Sequence, residues 1–199
     1  MSTPNKVRVR RPPEEAKQLF LSCAESLLVD EGLTGVQMRA VSRRAGVTDA
    51  AIAHHFGNRD GLLRELMDHV VSRVRQAINS LVTKWADSTT DIGALIEDLD
   101  GLYREGYAEL AHAVSQSGWR DHGPPILKPV VAVLIRQNLN PTTTDDNIRY
   151  VMASLHQELA LSPLYGDAFR RSVGLRSAKK RAEHLAWWAE TIEQLIAAH

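Results

Sequence analysis

The chain has 199 residues and 24 basic and 24 acidic side chains, so its zero net charge gives no sign of a nucleic-acid partner. With 44% hydrophobic and 24% charged residues it is not a wholly disordered chain, and its single cysteine, Cys23, excludes an internal disulfide. It has no apolar run of bilayer length and no secretory signal, so we expect a cytoplasmic protein with no membrane partner.

Residues 1–12 are predicted to form a flexible basic arm. This arm contains Lys6, Arg8, Arg10 and Arg11 and no acidic residue. Residues 1–66 hold ten basic and eight acidic side chains, whereas residues 67–199 hold 14 and 16. A basic tip on a neutral chain is compatible with contacts to phosphate, and a solvated tail is the alternative.

The pattern of residues 13–85 predicts four helices. Apolar residues spaced by three and four from Ala16 to Leu28 indicate a first helix, which Pro12 and Pro13 begin and Gly32 ends. The next three helices are predicted at 37–44, at 48–55 with Thr48 as N-cap, and at 58–85 with Asn58 as cap.

The remaining chain also has helical periodicity. Further amphipathic helices are predicted at 91–117, 125–138, 142–161, 163–170 and 177–198. No alternating strand pattern bounded by hairpin turns is present, so we expect an all-α fold.

Residues 37–56 have the pattern of a helix-turn-helix, in which a glycine-containing turn joins two short helices. Val41 of the first helix and Ile52 and Phe56 of the second are predicted to hold the pair at a fixed angle. The first turn of the second helix then faces outward, where Ala50 and Ala51 allow close approach to the major groove of DNA.

Five short motifs lie between Glu15 and Leu66. They are Leu19-Phe20, Glu31-Gly32, Ala45-Gly46-Val47-Thr48, His54-His55-Phe56 and Asn58-Arg59-Asp60-Gly61-Leu62-Leu63. Together they resemble the tetracycline-repressor (TetR) family of bacterial transcription regulators. The resemblance implies about nine helices and a homodimer, with a helix-turn-helix domain at 13–60 and an effector-binding and dimerisation domain at 61–199.

The resemblance also implies which residues contact DNA. They are Gln37, Arg39, Thr48, Asp49, Ala50, Ala51, His54, His55 and Arg59, and we add Arg8, Arg10 and Arg11 of the arm. Asp49 departs from the family, which often has lysine there; it is expected to accept a hydrogen bond from cytosine or to favour the helix N-terminus.

Two further sets of residues are expected in the C-terminal domain. The effector pocket is assigned Trp85, Tyr103, Tyr107, His112, Trp119, Tyr150, Met152 and His156, for which core packing is the alternative. The dimer interface is assigned Ile148, Val151, Leu155, Leu159, Leu185, Trp188, Ile192 and Leu195, for which the subunit's own core is the alternative.

No motif of an enzyme, a metal site or a cofactor site is found in the sequence, so none of the three is expected. We interpret the chain as a regulator, expected to be a nucleoid-associated repressor that a small-molecule effector releases from a palindromic operator. A helical ligand-binding or adaptor module without DNA function is the alternative, and a helical enzyme is a third hypothesis.

Overall fold

The computed structural model describes residues 12–85, 91–175 and 180–197. Every regular element in these ranges is helical, which confirms the all-α prediction. The chain divides into two compact units, Met1–Leu66 and Met67–His199, which we call the head and the body. No helix in the described ranges is long and apolar enough to cross a membrane.

The head contains the predicted helices in the predicted order. They are α1 (Pro13–Gly35), α2 (Met38–Ala45), α3 (Asp49–Phe56) and the beginning of α4 (Arg59–Trp85), whose later residues belong to the body. Pro13 occupies the first turn of α1, where the missing N–H costs no helical hydrogen bond. The backbone leaves helical geometry at Gly32, the predicted end, and helical structure then resumes as far as Gly35.

The body contains five further α-helices in its described residues. They are α5 (Ile92–Leu102), α6 (Ala108–Gln116), α7 (Lys128–Gln137), α8 (Asp145–Ser172) and α9 (Lys180–Ile196), with a π-helical segment at Tyr103–Tyr107 between α5 and α6. Buried side chains from α4, α5, α7, α8 and α9 form one hydrophobic core, which includes Ile78, Leu95, Ile96, Leu134, Leu155 and Ile192.

Two boundaries in the body differ from the prediction. The single helix expected over 91–117 is interrupted, because Gly106 has a φ of 92° inside the π-helical segment. The break expected at Pro163 is absent, and α8 runs through this proline. Loss of one backbone hydrogen bond at Pro163 is offset by burial of the same face on both sides, with Leu159 before it and Gly166 after it.

Candidate nucleic-acid interface and body cavities

An apolar contact set fixes α2 and α3 in the head. Val41 and Ile52 are fully buried, and Phe56 is 6% exposed. Gly46 ends α2 with φ 68° and ψ 35°, a left-handed conformation that glycine adopts without steric cost. The turn therefore has the geometry that the helix-turn-helix pattern predicts.

The junction between α3 and α4 depends on a close approach of the backbone. A Cβ atom on Gly61 would lie 2.1 Å from the carbonyl oxygen of Phe56, so no side chain fits there without moving the backbone. Asn58 caps the start of α4, since its Oδ1 accepts a hydrogen bond from the Gly61 N–H at 2.9 Å. These contacts hold the end of α3 against the start of α4.

The first turn of α3 faces solvent. The Thr48 side chain accepts a hydrogen bond from the Ala51 N–H at 3.3 Å, which confirms the predicted N-cap. Thr48, Asp49 and Ala50 are exposed, and Ala51 is half-buried. The first turn of α3 is therefore accessible to a ligand of the head.

Asp49 contacts α2. The hydroxyl of Ser42, a residue only 3% exposed, donates to Asp49 Oδ1 or to the Arg39 carbonyl oxygen at 3.0 Å, since it has one proton for the two acceptors. The Asp49 carboxylate therefore has an acceptor role inside the head as well as an exposed position.

Arg59 also binds inside the head. Its Nε donates to the Val36 carbonyl oxygen at 2.8 Å, and one terminal nitrogen donates to the Leu33 carbonyl oxygen at 2.9 Å. These two carbonyl groups lie at the end of α1, where the Leu33 oxygen also accepts from the Val36 N–H at 3.3 Å. The guanidinium thus ties the start of α4 to the end of α1.

The two adjacent histidines have different environments. His55 is half-buried and packs edge-on against Phe20, with ring centroids 5.2 Å apart. His54 is exposed. Of the two imidazoles, that of His54 is the more accessible to a ligand.

Helix α2 carries cations at the surface. Arg39 and Arg43 lie four residues apart, are exposed and form no ion pair within the described ranges. Arg44 instead pairs with Asp30 at 2.7 Å. The exposed Gln37 amide donates to the Thr34 carbonyl oxygen at 2.9 Å. Arg8, Arg10 and Arg11 of the arm lie outside the described residues.

Two residues assigned to the effector pocket meet in the body. The Tyr103 hydroxyl lies 2.5 Å from His156 Nε2. Burial raises the pKa of Tyr103 to about 12 and lowers the pKa of His156, so both rings favour their neutral forms, and the imidazole tautomer sets which of the two donates. His156 also lines a cavity of about 670 Å³ with Ile126, Val131 and Arg149.

The other residues assigned to the pocket are dispersed. Trp85 and Met152 are buried in the body core, and His112 and Tyr150 are exposed. The Tyr107 hydroxyl accepts a hydrogen bond from Arg73 at 2.9 Å, and the Trp119 indole donates to Asp68 at 3.0 Å. Another cavity, of about 480 Å³, is lined by residues that include Arg73, Leu81, Glu97, Asp98 and Leu102.

The residues assigned to the dimer interface form two groups. Ile148, Leu155, Leu159 and Ile192 are completely buried in the core of the single chain. Val151, Leu185, Trp188 and Leu195 are half-buried and pack against that core. The outer faces of the two helices carry exposed aromatic side chains, namely Tyr150, Tyr165, Phe169 and Trp187.

The head corresponds to a known family. Residues 20–66 match the model for bacterial regulatory proteins of the tetR family. The family likeness is thus located in the head of the chain. The matched range begins at Phe20 within α1 and ends at Leu66 within α4, so it includes the exposed first turn of α3.

The curated relatives of this chain are named as transcriptional regulators. The regulator BetI of Paraburkholderia xenovorans is 36% identical over 64 residues, which are 32% of this chain and 33% of BetI. The regulator EthR of Mycobacterium tuberculosis is 28% identical over 106 residues, which are 53% of this chain and 45% of EthR. The chain thus spans about a third to about half the length of the curated relatives it matches.

Two solved structures share the fold of this chain. A TetR-family regulator from Mesorhizobium loti superposes with a TM-score of 0.61 at 13% identity, covering 94% of this chain and 98% of that one. A TetR protein from Acinetobacter baumannii gives a TM-score of 0.52 at 16% identity, covering 89% and 92%. At these sequence identities the likeness shows the fold alone.

The sequence pattern does not single out two residues of the head. Ser42 looks like an ordinary polar position of α2, yet it is buried against Asp49. Arg43 was not assigned, although its spacing of four residues from Arg39 places both on one face of α2. That spacing was the available signal for Arg43, whereas nothing in the sequence indicates the contact of Ser42.

Proposed function

We propose that the chain is a DNA-binding transcriptional regulator, acting as a repressor, whose α3 enters the major groove. The observation that carries this proposal is the exposed first turn of α3, next to α2, with Val41 of α2 and Ile52 of α3 both fully buried. The match of residues 20–66 to the TetR family supports the same role for the head.

The surface of α3 that we propose to contact the base edges, called the reading surface below, combines small and polar side chains. Ala50 and Ala51 admit the α3 backbone close to the base edges, and Thr48 and His54 are polar neighbours on the same helix. Gln37, Arg39 and His55 are proposed to contact the DNA backbone, as is the part of Arg59 that its two carbonyl partners leave available. Arg43 joins this set because it is exposed beside Arg39.

Affinity for the phosphate backbone of DNA must come from residues outside α3. Helix α3 contains no lysine or arginine, and its first turn holds Asp49. The cations of α2 and Arg8, Arg10 and Arg11 of the arm are therefore proposed as the main phosphate contacts. Replacing these three arm arginines by glutamine should reduce the salt slope of binding by about 1 for each lost contact, and an unchanged slope would contradict a role for the arm.

The active species is proposed to be a homodimer in the cytoplasm, associated with the nucleoid. Two heads about 34–36 Å apart would occupy successive major grooves of a palindromic operator. The half-buried residues Val151, Leu185, Trp188 and Leu195, together with the exposed aromatic side chains of α8 and α9, are the proposed interface. Sedimentation that shows only monomer at micromolar concentration would contradict the dimer.

A small-molecule effector is proposed to bind the body and lower operator affinity. The cavity of about 670 Å³ has the volume of a ligand site, and His156, one of its lining residues, is hydrogen-bonded to Tyr103. An effector changes DNA affinity only through different affinities for two conformations, and a coupling of about 1–3 kcal/mol gives roughly a 5- to 150-fold effect.

The test is a fluorescence anisotropy titration of the full chain with duplexes that cover the DNA flanking its own gene, at about 50 and 200 mM salt. We expect selective binding that weakens at the higher salt. Ala50→Trp should lower affinity more than about tenfold, because the indole blocks entry to the groove, whereas Ala94→Trp, an exposed alanine of α5, should bind normally.

Normal operator binding by Ala50→Trp would show that the reading surface is assigned wrongly. If no duplex binds at either salt, the second candidate function gains support, namely a helical ligand-binding or adaptor module without DNA function. The absence of lysine and arginine from α3 is the observation that favours this second candidate.

A further inference from the structure

The body has a third cavity, of about 430 Å³, with an unusual concentration of arginine. It is lined by Arg104, Arg170, Arg171 and Arg181, by Ser162, Tyr165 and Asp167, and by Pro163, Leu164 and Ala168. Asp167 is the one carboxylate among these lining residues. The wall therefore combines strong positive charge with an apolar side and an aromatic ring.

Arg181 is the buried cation of this wall. It is 6% exposed, and its guanidinium forms an ion pair with the buried Asp100 and another, at 2.6 Å, with Glu158. Its Nε has no acceptor in the described structure. Asp100 is shared, because Arg104 Nε also lies 2.9 Å from its Oδ2.

The other arginines of the wall come from the end of α8. Arg170 pairs with Asp167 at 2.5 Å and lies 3.4 Å from the Ser162 hydroxyl. Gly166 leaves room for the Arg170 side chain, since a Cβ atom on this glycine would lie 3.0 Å from a terminal nitrogen of Arg170. Arg171 is exposed and forms no ion pair in the part of the chain that the structure describes.

The charges of the cluster do not cancel. Its four arginines share three carboxylates, those of Asp100, Glu158 and Asp167. One positive charge is left over, and it lies beside the open cavity where Arg171 has no ion-pair partner. An anion in the cavity would complete this network, and planar guanidinium groups match the oxygens of a carboxylate or phosphate in a bidentate geometry.

We propose that this cavity binds a small organic anion, a carboxylate or a phosphate ester that carries a compact apolar group. The arginine wall would hold the anionic end, and Leu164, Ala168 and the Tyr165 ring would contact the apolar end. A volume of about 430 Å³ is in the range of small-molecule sites. The inference concerns the body alone and holds whether or not the head binds DNA.

The test is isothermal titration calorimetry of the full chain with phenyl phosphate, with benzoate and with benzyl alcohol. We expect at least one of the two anions to bind and the uncharged alcohol not to bind. Comparison of phenyl phosphate with benzoate distinguishes a phosphate site from a carboxylate site. Arg171→Gln and Arg170→Gln should each raise the dissociation constant of the bound anion about tenfold, because each removes a charge-assisted contact.

Arg136→Gln is the matched control, because Arg136 is exposed on α7, lies outside the lining of this cavity and carries the same charge. Its dissociation constant should equal that of the unmodified chain. Since Arg171 is exposed, Arg171→Gln should fold normally even if changes at Arg181 do not. The proposal is overturned if neither anion binds, if benzyl alcohol binds as well as the anions, or if Arg136→Gln weakens binding as much as Arg171→Gln.

Discussion

The head and the body each turn an arginine inward, but they give it different partners. In the head, Arg59 donates to two neutral carbonyl oxygens at the end of α1. In the body, Arg181 is enclosed by the carboxylates of Asp100 and Glu158. The first arginine binds neutral backbone groups at a helix end, whereas the second compensates buried charge, so loss of the arginine should affect the two units very differently.

The difference extends to how each unit presents charge at its surface. The head is held together by apolar contacts between α2 and α3, which leaves Arg39 and Arg43 exposed and without ion pairs in the described ranges. The body assembles its cations around a cavity instead. The head thus has two exposed cations on one helix, and the body has a cavity lined by cations.

The sharpest test of this comparison is Arg181→Met. Removal of the guanidinium leaves Asp100 buried without its main partner, so we expect the body to lose about 3–5 kcal/mol of unfolding free energy. Urea denaturation followed by circular dichroism measures this loss. The exposed Arg136→Met should cost little, and adding Asp100→Asn to Arg181→Met should recover part of the stability. A small loss of unfolding free energy would mean that the ion pairs of Arg181 contribute little to the stability of the body.

The packing of the head is tested by Ile52→Ala. This side chain is fully buried between α2 and α3, so its truncation should cost about 2–5 kcal/mol, whereas Ile52→Val should cost about 0.5–1.5 kcal/mol. Loss of DNA binding should follow the loss of folded head. If Ile52→Ala denatures like the unmodified chain, apolar contacts are not what fixes α3.

Arg59→Met probes the neutral partners of the head arginine. Two charge-assisted hydrogen bonds to carbonyl oxygens are lost, so we expect the head to be destabilised by about 1–3 kcal/mol. Operator affinity should fall for all sequences alike. Unchanged thermal denaturation together with weaker DNA binding would instead assign Arg59 to phosphate alone.

The smallest expected effect concerns pH and the Tyr103–His156 pair. Burial lowers the pKa of His156, so below its ordinary value near 6.5 the unfolded chain takes up a proton more readily than the folded one. The body should therefore lose stability as the pH falls from about 7.5 to about 5.5, and His156→Gln should reduce this loss. Equal pH dependence of both proteins, measured by urea denaturation, would contradict a buried neutral imidazole.

Local signals in the sequence were sufficient for most of the head. Gly46 and Thr48 encode the end of α2 and the start of α3 through their own backbone preferences, and the structure has both features. The same reasoning was wrong at Pro163, where burial on both sides of the proline outweighs its local preference. Local rules hold where a residue acts on its neighbours in sequence, and they fail where packing decides.

The sequence pattern does not predict contacts between residues that lie far apart in the chain. Tyr103 and His156 were assigned to one pocket from residue type alone, and their hydrogen bond depends on how the π-helical segment meets α8. Arg181 and Asp100 are 81 residues apart, and neither stood out as a member of a motif. Charged residues are ordinarily solvated, so nothing in the sequence distinguished these from the other charges of the body.

The contact between Ser42 and Asp49 has a consequence for the proposed choice of operator. The Ser42 hydroxyl faces only Oδ1 of Asp49 and has the Arg39 carbonyl oxygen as its other acceptor. In the proposed complex a cytosine amino group would bind the second carboxylate oxygen without displacing the hydroxyl, because a carboxylate accepts hydrogen bonds at both oxygens. The buried serine would then orient the acidic side chain that meets the base, so the preference at that base pair would depend on a residue that never touches DNA.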